Sequence, residues 1–428
     1  MQIDLPINDV LDELRAALSG SDAAVLEAPP GAGKTTVVPL ALKDEGWLGD
    51  QSIIMLEPRR MAARAAAERL AFTLGEKAGE TVGYRVRLDS KVSSKTRIEV
   101  ITEGVLTRRL QNDPGLEGVG LLIFDEFHER SLDSDLGLAL ALQGRELFRE
   151  DAQPLKILVM SATLDGERVA QLLGDAPVVS SQGKMFPVEV HYGAKAETRR
   201  NIVDPVVSTL NAVLNNPETG NVLVFLPGQG EIRRVADALP EVDDVVIAPL
   251  YGGLTLEDQR RAIEAPRSGR KVVLSTNIAE TSLTIEGITT VVDSGLARVP
   301  VFDPNTGMTR LQTKRISQDN ATQRMGRAGR LGPGHCYRLW SEGQQNELSK
   351  RSTAEILQAD LTPLALQLLA WGVDDPNELQ WMDAPPAGPW QQGLDLLRQF
   401  GALDGVALTA DGTQMAVLPV HPRIAHML

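Results

Sequence analysis

Residues 24–36 read AVLEAPPGAGKTT, an apolar run followed by a turn of proline and glycine and then by the start of a helical pattern. The apolar run predicts a β-strand over Ala24–Glu27. Glycines let backbone N–H groups close around phosphate oxygens, and the N-terminus of the following helix adds a partial positive charge. The stretch therefore predicts a phosphate-binding loop between a strand and a helix.

Each polar residue of this loop has its own predicted role in binding a nucleotide. Lys34 would reach the β- and γ-phosphates, and the Thr35 hydroxyl would hold Mg²⁺. The other candidate phosphate-binding residues are Pro30, Gly31, Ala32, Gly33 and Thr36. Because Ala28 stands where the motif usually begins with glycine, a glycine-rich turn with a solvated lysine is the alternative. The order of strand, loop and helix favours the phosphate site.

Short apolar runs continue to alternate with helical patterns through the first half of the chain. The further predicted strands are Ile53–Leu56, Arg97–Ile101, Leu121–Phe124 and Lys156–Met160. An amphipathic helix is predicted between the first two of these, at Met61–Leu74. Nearly all-apolar strands separated by helices indicate a parallel sheet that is covered on both faces. The catalytic loops of such a sheet lie at the carboxyl ends of its strands.

The same alternation begins again in the second half of the chain. The predicted strands are Val222–Leu226, Val245–Leu250, Val272–Ser275 and Thr290–Val292, and the predicted helices are Glu231–Leu239 and Leu256–Ile263. A β-hairpin is predicted over Arg298–Arg315. Later helices at Leu361–Leu369 and Trp390–Phe400, followed by a hairpin at Ala402–Thr409, indicate a winged-helix-like module.

These patterns predict an α/β protein of two tandem parallel-sheet domains followed by a winged-helix-like module. We expect the domains to span 1–178 and 179–342, and the module together with the start of a further helical domain to span 343–428. The last residues, Arg423–Leu428, read as the first turn of a helix without a stop signal, so we expect the natural protein to continue.

Composition limits the classes of partner. The formal net charge is −14, from 43 Lys and Arg against 57 Asp and Glu, so any site for a polyanion must be a local groove. The single cysteine excludes an intrachain disulfide, and the five histidines show no metal-ligand spacing. No apolar run reaches the roughly 18 residues of a membrane span, and the N-terminus lacks the pattern of a signal peptide. We therefore expect a cytoplasmic enzyme.

A second functional pattern occurs in the run LLIFDEFHER at residues 121–130, where an apolar strand ends in two adjacent carboxylates. Asp125 suits a Mg²⁺ ligand, and Glu126 suits the base that activates a water. His128, two residues after Glu126, would link nucleotide state to domain contact. A solvated turn with an ordinary loop histidine is the alternative, which the preceding phosphate loop disfavours.

The third pattern is QRMGRAGR at residues 323–330. Spacings of three and four place Gln323, Arg327 and Arg330 on one predicted helical stripe. Arginines beside small residues can approach a triphosphate and stabilise the charge on a transferring phosphoryl group. An exposed basic helix is the alternative, but such a helix would only lose stability through Gly326 and Gly329.

Taken in order, these motifs resemble those of the DEAH/RHA-type superfamily 2 helicases. The phosphate loop is followed by Glu57–Arg64, Thr102–Gly104, Asp125–His128, Ser161–Thr163, Leu223–Gly228, Ser275–Ser282 and Gln323–Arg330. The resemblance covers roughly residues 20–420. Phe127 departs from the family pattern, since alanine is usual at that position.

The resemblance implies two RecA-like domains with ATP between them and RNA or DNA across their top. We expect the partner to be single-stranded nucleic acid, with RNA preferred over DNA. By this resemblance Asp125 and Thr35 would bind Mg²⁺, Glu126 and Gln323 would position water, and Arg327 and Arg330 would act as arginine fingers. The adenine would lie between Arg69 and Ile263. The nucleic acid would contact Arg59 or Arg60, together with Thr102 and Thr281. Ser161 and Thr163 would couple the two sites, in addition to His128.

The motifs thus predict an NTP hydrolase that moves along single-stranded nucleic acid and unwinds duplexes. A nucleotide-dependent clamp or scaffold that remodels ribonucleoproteins is the second hypothesis, and the motifs do not separate the two. A small-molecule P-loop kinase is disfavoured by the second α/β domain and its arginines. The 298–315 hairpin would act as a wedge or as a plain surface hairpin, and the C-terminal module would act as a structural brace.

Overall fold

The computed structural model describes residues 5–149, 154–162, 165–183, 186–194, 201–216, 218–240, 242–266, 268–281, 285–303 and 306–428. The chain forms two units. The first comprises Met1–Gln182, Pro300–Arg310 and Thr353–Leu428, and the second comprises Gly183–Val299 and Leu311–Ser352. Each unit is built on one sheet.

The first sheet contains every strand predicted in the first half of the chain. Its strands are β1 (Ala23–Glu27), β2 (Ser52–Glu57), β3 (Val82–Val86), β4 (Asp89–Lys91), β5 (Ile98–Thr102), β6 (Val119–Phe124), β7 (Lys156–Ser161) and β8 (Val178–Ser180). Their order is β4-β3-β5-β2-β6-β7-β1-β8. All pairs are parallel except β3 with β4, a short antiparallel edge.

Six helices alternate with most strands of this sheet within the described residues. They are α1 (Leu11–Gly20), α2 (Lys34–Leu42), α3 (Arg60–Thr73), α4 (Glu103–Asn112), α5 (Leu132–Phe148) and α6 (Gly166–Leu172). Strand β6 is buried along its whole length. Leu121 and Ile123 belong to one apolar cluster, while Leu122 and Phe124 belong to the other. This division confirms the predicted sheet with apolar packing on both faces.

The second unit repeats the plan. Its strands are β9 (Val188–Tyr192), β10 (Asn221–Phe225), β11 (Val245–Leu250), β12 (Arg270–Ser275), β13 (Ile288–Asp293), β14 (Leu296–Asp303), β15 (Met308–Arg315) and β16 (Gly334–Arg338). Six of them form a parallel sheet in the order β11-β12-β10-β13-β16-β9, and β14 with β15 makes the predicted hairpin, whose tip, Pro300–Arg310, belongs to the first unit. Its helices are α7 (Val203–Leu214), α8 (Gln229–Ala238), α9 (Leu256–Ile263), α10 (Gln318–Gly326) and α11 (Glu342–Asn346).

The C-terminal segment packs on the first sheet. It contains α12 (Thr362–Trp371), α13 (Ala387–Gln399), β17 (Leu403–Asp404), β18 (Ala407–Leu408), α14 (Ala410–Val417) and α15 (Pro422–Ala425). Leu364 and Leu397 join the same apolar cluster as Leu140 of α5, and Trp371 Nε1 donates to Gln143 Oε1 at 2.6 Å. These contacts favour the predicted role of the C-terminal module as a structural brace. The winged-helix likeness and the boundaries after 178 and 342 stay predictions.

Within the described ranges, no helix combines the length and the hydrophobicity that crossing a membrane would require.

Candidate functional site

The predicted site residues of the first unit meet at one edge of its sheet. The loop that carries Lys34 follows β1, Arg59 follows β2, Thr102 ends β5 and Asp125 follows β6. These strands run parallel, and Glu57 lies beside Thr102 in the register of β2 and β5. The carboxyl ends of parallel strands lie on one side of a sheet, so these side chains share one surface.

The turn before α2 depends on glycine. Gly31 and Gly33 have φ angles of +87° and +101°, a region that side chains disfavour. A Cβ on Gly33 would lie 2.8 Å from Leu5 Cδ1 and 3.2 Å from Ile7 Cγ2, so a side chain there would also have to displace these residues. Helix α2 begins directly afterwards at Lys34, with its first N–H groups facing the loop. The backbone geometry therefore fits the predicted phosphate loop.

The side chains of Lys34 and Thr35 are both held by hydrogen bonds. Lys34 is 5% exposed, and its ammonium donates to the Ala28 carbonyl at 2.5 Å. The Thr35 hydroxyl donates to Asp125 Oδ2, also at 2.5 Å. A hydroxyl beside a carboxylate offers the oxygen ligands that Mg²⁺ prefers. The residues present therefore fit the predicted magnesium ion.

Negative charge is concentrated around Asp125. Burial, followed by the charge of Glu126, raises the pKa of Asp125 to about 6, although Lys34 lowers it. Burial and the charge of Asp125 also raise the pKa of Glu57 well above its usual value. Three carboxyl groups close together are stabilised by a nearby cation. This electrostatic pattern supports a divalent cation at Asp125 and adds Glu57 to the candidate site.

Glu126 lies at a strained turn. Its φ and ψ angles of 51° and 32° are left-handed, and Arg130 at the other end of the short 3₁₀ turn Phe127–Glu129 has a φ of 50°. Such a conformation costs about 1–3 kcal/mol in a residue that is not glycine, and it occurs often at functional sites. The Glu126 N–H donates to Asp125 Oδ1 at 2.8 Å. The turn thus holds the two carboxylates next to each other.

His128 connects the loop after β6 with the loop after β7. Its Nδ1 accepts a hydrogen bond from the Ala162 N–H at 3.2 Å and lies 3.6 Å from Glu126 Oε2. An accepting Nδ1 requires the neutral tautomer with the proton on Nε2. The Ser161 carbonyl in turn accepts from the Ala28 N–H at 3.0 Å. These bonds join the segments that follow β1, β6 and β7. The coupling role of His128 and Ser161 stays a prediction, and Thr163 lies outside the described residues.

The departure at Phe127 has a packing explanation. Its ring is 2% exposed and lies edge-on to Phe124, with ring centroids 6.1 Å apart. The large side chain fills the cluster beneath the strand end, where alanine would leave the space to other residues.

The remaining predicted residues of the first unit lie on its surface or half-buried. Arg59 forms an ion pair with Glu129 at 3.0 Å, and Arg60 is exposed at the start of α3. Thr102 is half-buried and immediately precedes α4. Arg69 is exposed, and its guanidinium lies 5.9 Å from the centre of the Phe72 ring.

The predicted helical stripe in the second unit is wrong. Gln323 lies in α10 and is 9% exposed, but α10 ends at Gly326, so Arg327 and Arg330 lie in the turn that follows. Arg327 is buried and donates to the carbonyls of Glu280 and Thr281. These bonds hold Arg327 against the segment after β12 instead of along a continuing helix.

Gly329 of this motif also has another explanation. A Cβ on Gly329 would lie 2.7 Å from the Phe186 carbonyl oxygen, and the Phe186 N–H donates to the Gly329 carbonyl at 3.0 Å. The small residue is therefore required by backbone packing within the second unit. Two further residues of this unit were predicted to contact a ligand. Thr281, predicted to contact nucleic acid, is 4% exposed, and Ile263, predicted to lie beside the adenine, packs against an apolar cluster.

Comparison with known proteins agrees with this geometry. The family model described as DEAD/DEAH box helicase matches residues 11–172, and the one described as helicase conserved C-terminal domain matches residues 205–332. The chain thus contains a DEAD/DEAH box helicase domain followed by a helicase conserved C-terminal domain. The resemblance inferred from the motif order is thereby confirmed, together with two α/β parallel-sheet domains.

Individual relatives place the chain more finely within this family. It is 51% identical over 427 residues to "ATP-dependent RNA helicase HrpB" of Escherichia coli, covering 99% of this chain and 52% of that protein. It is 39% identical to the pre-mRNA-splicing factor ATP-dependent RNA helicase prp22 of Schizosaccharomyces pombe, covering 99% of this chain and 37% of that protein. A crystal structure of the E. coli DEAH/RHA helicase HrpB matches with a TM-score of 0.92 at 50% identity, covering 99% of this chain and 54% of that one. The chain therefore spans about half the length of HrpB.

Two buried charged residues of this helicase core were not predicted as functional or structural sites. Glu57 ends the apolar strand β2, and only the order of strands in the sheet places it beside the carboxylates that follow β6. Arg324 is 1% exposed and forms ion pairs with Glu280 at 2.8 Å and Asp293 at 2.9 Å. Nothing in the motif distinguished this internal arginine from its neighbours Arg327 and Arg330.

Proposed function

We propose that this chain is the motor of an ATP-dependent RNA helicase, which hydrolyses ATP with Mg²⁺ and moves along single-stranded RNA. The observation that carries the proposal is the Thr35–Asp125 hydrogen bond at the edge where Lys34 and Glu126 also lie. The names of the relatives HrpB and prp22 support RNA as the nucleic acid. A cytoplasmic location and a preference for RNA over DNA stay predictions.

The residues at the sheet edge suit the separate steps of hydrolysis. The loop from Pro30 to Thr36 binds the phosphates through backbone N–H groups, and Lys34 donates to the β- and γ-phosphates. Thr35 and Asp125 hold Mg²⁺, which neutralises phosphate charge when bound. Glu126 accepts a proton from the attacking water, with its backbone fixed by the bond to Asp125. His128 transmits the state of this site through Ala162 to the loop after β7.

The roles of Gln323, Arg327 and Arg330 in hydrolysis are part of the same proposal. All three lie in the second unit, where Arg327 contacts the backbone that follows β12. Replacing Arg330 by Ala should lower kcat while ATP affinity changes less, since a finger contacts charge that develops in the transition state. Equal losses in kcat and in ATP affinity would assign Arg330 to ground-state binding instead.

Contacts to nucleic acid are proposed at Arg59, Arg60, Thr102 and Thr281. Hydroxyls and guanidinium groups at strand ends suit phosphate oxygens, which carry no sequence information. We therefore expect binding to poly-RNA to be independent of sequence and to weaken with salt. Arg60→Ala should weaken RNA binding without changing ATPase activity in the absence of RNA.

ATP hydrolysis measured without polynucleotide, with poly-RNA and with single-stranded DNA tests the proposal. We expect stimulation by RNA, and we expect Lys34→Ala to abolish hydrolysis with or without RNA. Lys77→Ala is the matched control, because Lys77 is an exposed lysine of the same unit. Absence of stimulation by either polynucleotide would contradict the motor. A strand-displacement assay with a 3′ single-stranded tail separates unwinding from the alternative, a clamp that remodels ribonucleoproteins.

A further inference from the structure

Two of the five histidines of the chain meet at the edge of the second sheet. His191 lies on β9, the edge strand, and His335 lies on the neighbouring strand β16, directly beside Glu189 in the parallel register. Side chains alternate along a strand, so Glu189 and His191 share one face of β9. His191 Nε2 lies 3.2 Å from His335 Nδ1. Glu189 Oε1 lies 3.9 Å from His191 Nε2, and Glu189 Oε2 lies 3.5 Å from His335 Nδ1.

The spacing of these three groups matches that of ligands around one metal ion. Zinc bonds to histidine nitrogen are about 2.0–2.1 Å, which places two tetrahedral ligand atoms about 3.3 Å apart. The three donor atoms all lie within 4.8 Å of one another. A hydrogen bond between the imidazoles with ion pairs to the Glu189 carboxylate is the alternative, and the Zn²⁺ titration below distinguishes it from a metal site.

Ring packing limits the rotation of His191. Its ring lies nearly parallel to that of Tyr337, with centroids 4.6 Å apart and an angle of 18°, and it also stacks on His335 at 5.5 Å. A ligand whose rotamer is already limited loses less entropy on binding. The side chains of His191, His335 and Glu189 are 35%, 50% and 67% exposed, so the group is open to ions from solvent.

We propose that Glu189, His191 and His335 bind a divalent transition-metal ion, with Zn²⁺ as the first choice. Two imidazoles and one carboxylate favour such ions over Mg²⁺, and three protein ligands leave one tetrahedral position to water. The ion joins the edge strand β9 to β16. Strand β16 follows the turn that carries Arg327 and Arg330, and the Phe186 N–H, just before β9, donates to the Gly329 carbonyl in that turn. A metal ion bound between β9 and β16 therefore rigidifies the backbone that holds the two arginines.

Zinc competition with a chromophoric chelator tests this site on the tag-free 428-residue chain after treatment with EDTA. We expect one tight equivalent of Zn²⁺. His335→Gln and Glu189→Gln, both on exposed side chains, should each weaken it at least about tenfold, because even second-shell changes cost 10–100-fold. His426→Gln is the matched control and should bind as the wild type does.

The Asp125→Asn variant shows whether Zn²⁺ binds instead at the candidate magnesium site. We expect this variant to keep the Zn²⁺ equivalent, and bound Co²⁺ in the wild type should show the visible absorption of a tetrahedral or five-coordinate ion. Absence of a tight equivalent would overturn the proposal. So would wild-type binding by His335→Gln and Glu189→Gln, or loss of the equivalent in Asp125→Asn.

Discussion

The Thr35 hydroxyl and the Asp125 carboxylate share a 2.5 Å hydrogen bond although the two residues lie 90 positions apart. The bond joins the first turn of α2, which follows β1, to the end of β6, and only β7 separates these two strands in the sheet. It brings together the two oxygen groups that a magnesium ion would need.

Thr35→Ala and Asp125→Asn should each reduce ATP hydrolysis by about 10²-fold or more, since loss of charge stabilisation of this kind costs that much. The residual activity should require more Mg²⁺ than that of the wild type. Steady-state rates measured against Mg²⁺ concentration test this expectation. Thr73→Ala, at the exposed end of α3, is the control and should leave the rate unchanged. An unaltered Mg²⁺ dependence in both variants would show that these residues do not hold the ion.

His128→Ala should separate hydrolysis from RNA stimulation. The change leaves the Ala162 N–H without its acceptor, which costs about 1–3 kcal/mol where the group is buried. We expect basal ATPase activity to persist while stimulation by RNA is reduced. The ratio of rates with and without poly-RNA is the measurement. A ratio equal to that of the wild type would remove His128 from the coupling route.

Arg324→Met should destabilise the second unit. The buried carboxylates of Glu280 and Asp293 would lose their common partner, and breaking a buried ion pair from one side costs about 3–5 kcal/mol. Hydrogen exchange in β10 and β13 reports on this unit separately from the first. Arg233→Met, at an exposed arginine of α8 in the same unit, is the control. Protection equal to that of the wild type would mean that Arg324 does not hold α10 against the sheet.

Glu103 makes stability depend on pH. Burial raises its pKa from 4.5 to about 8, with Asp133, Glu129 and Glu355 adding to the effect, although the Ser131 hydroxyl lowers it. Between these two values the folded chain holds a proton that the unfolded chain releases. The free energy of unfolding therefore falls as pH rises from about 4.5 to 8.

Glu103→Gln removes this titration and keeps an acceptor for the Ser131 hydroxyl. The variant should gain stability relative to the wild type by at least about 1 kcal/mol as pH rises from 5 to 9. Urea unfolding of both proteins at several pH values gives the difference. A difference that stays constant with pH would contradict the raised pKa.

Local pattern and motif order predicted most of the first unit. The apolar strands, the glycine loop and the adjacent carboxylates are short-range signals, and the parallel sheet follows from their alternation with helices. The meeting of Thr35 with Asp125 followed from the rule that parallel strands end at one edge. The helix through Arg330 was mispredicted, because the bonds from Arg327 to the backbone and the close approach of Gly329 to Phe186 are tertiary contacts.

Contacts between residues that lie far apart in the sequence could not be predicted from local sequence patterns. His191 and His335 lie 144 positions apart and become neighbours only through the order of strands β16 and β9. The sequence spacing of the histidines indicates no metal site. The burial of Glu57 beside Asp125 likewise depends on which strands are neighbours in the sheet.

The most direct test of the motor is the hydrolysis rate of Glu126→Gln at saturating ATP and RNA, measured together with ATP and RNA affinity. A general base contributes about 10²–10⁴-fold, so we expect a loss of that size while both affinities stay within about twofold of the wild type. Hydrolysis at the rate of the wild type in a preparation free of contaminating ATPase would contradict the account.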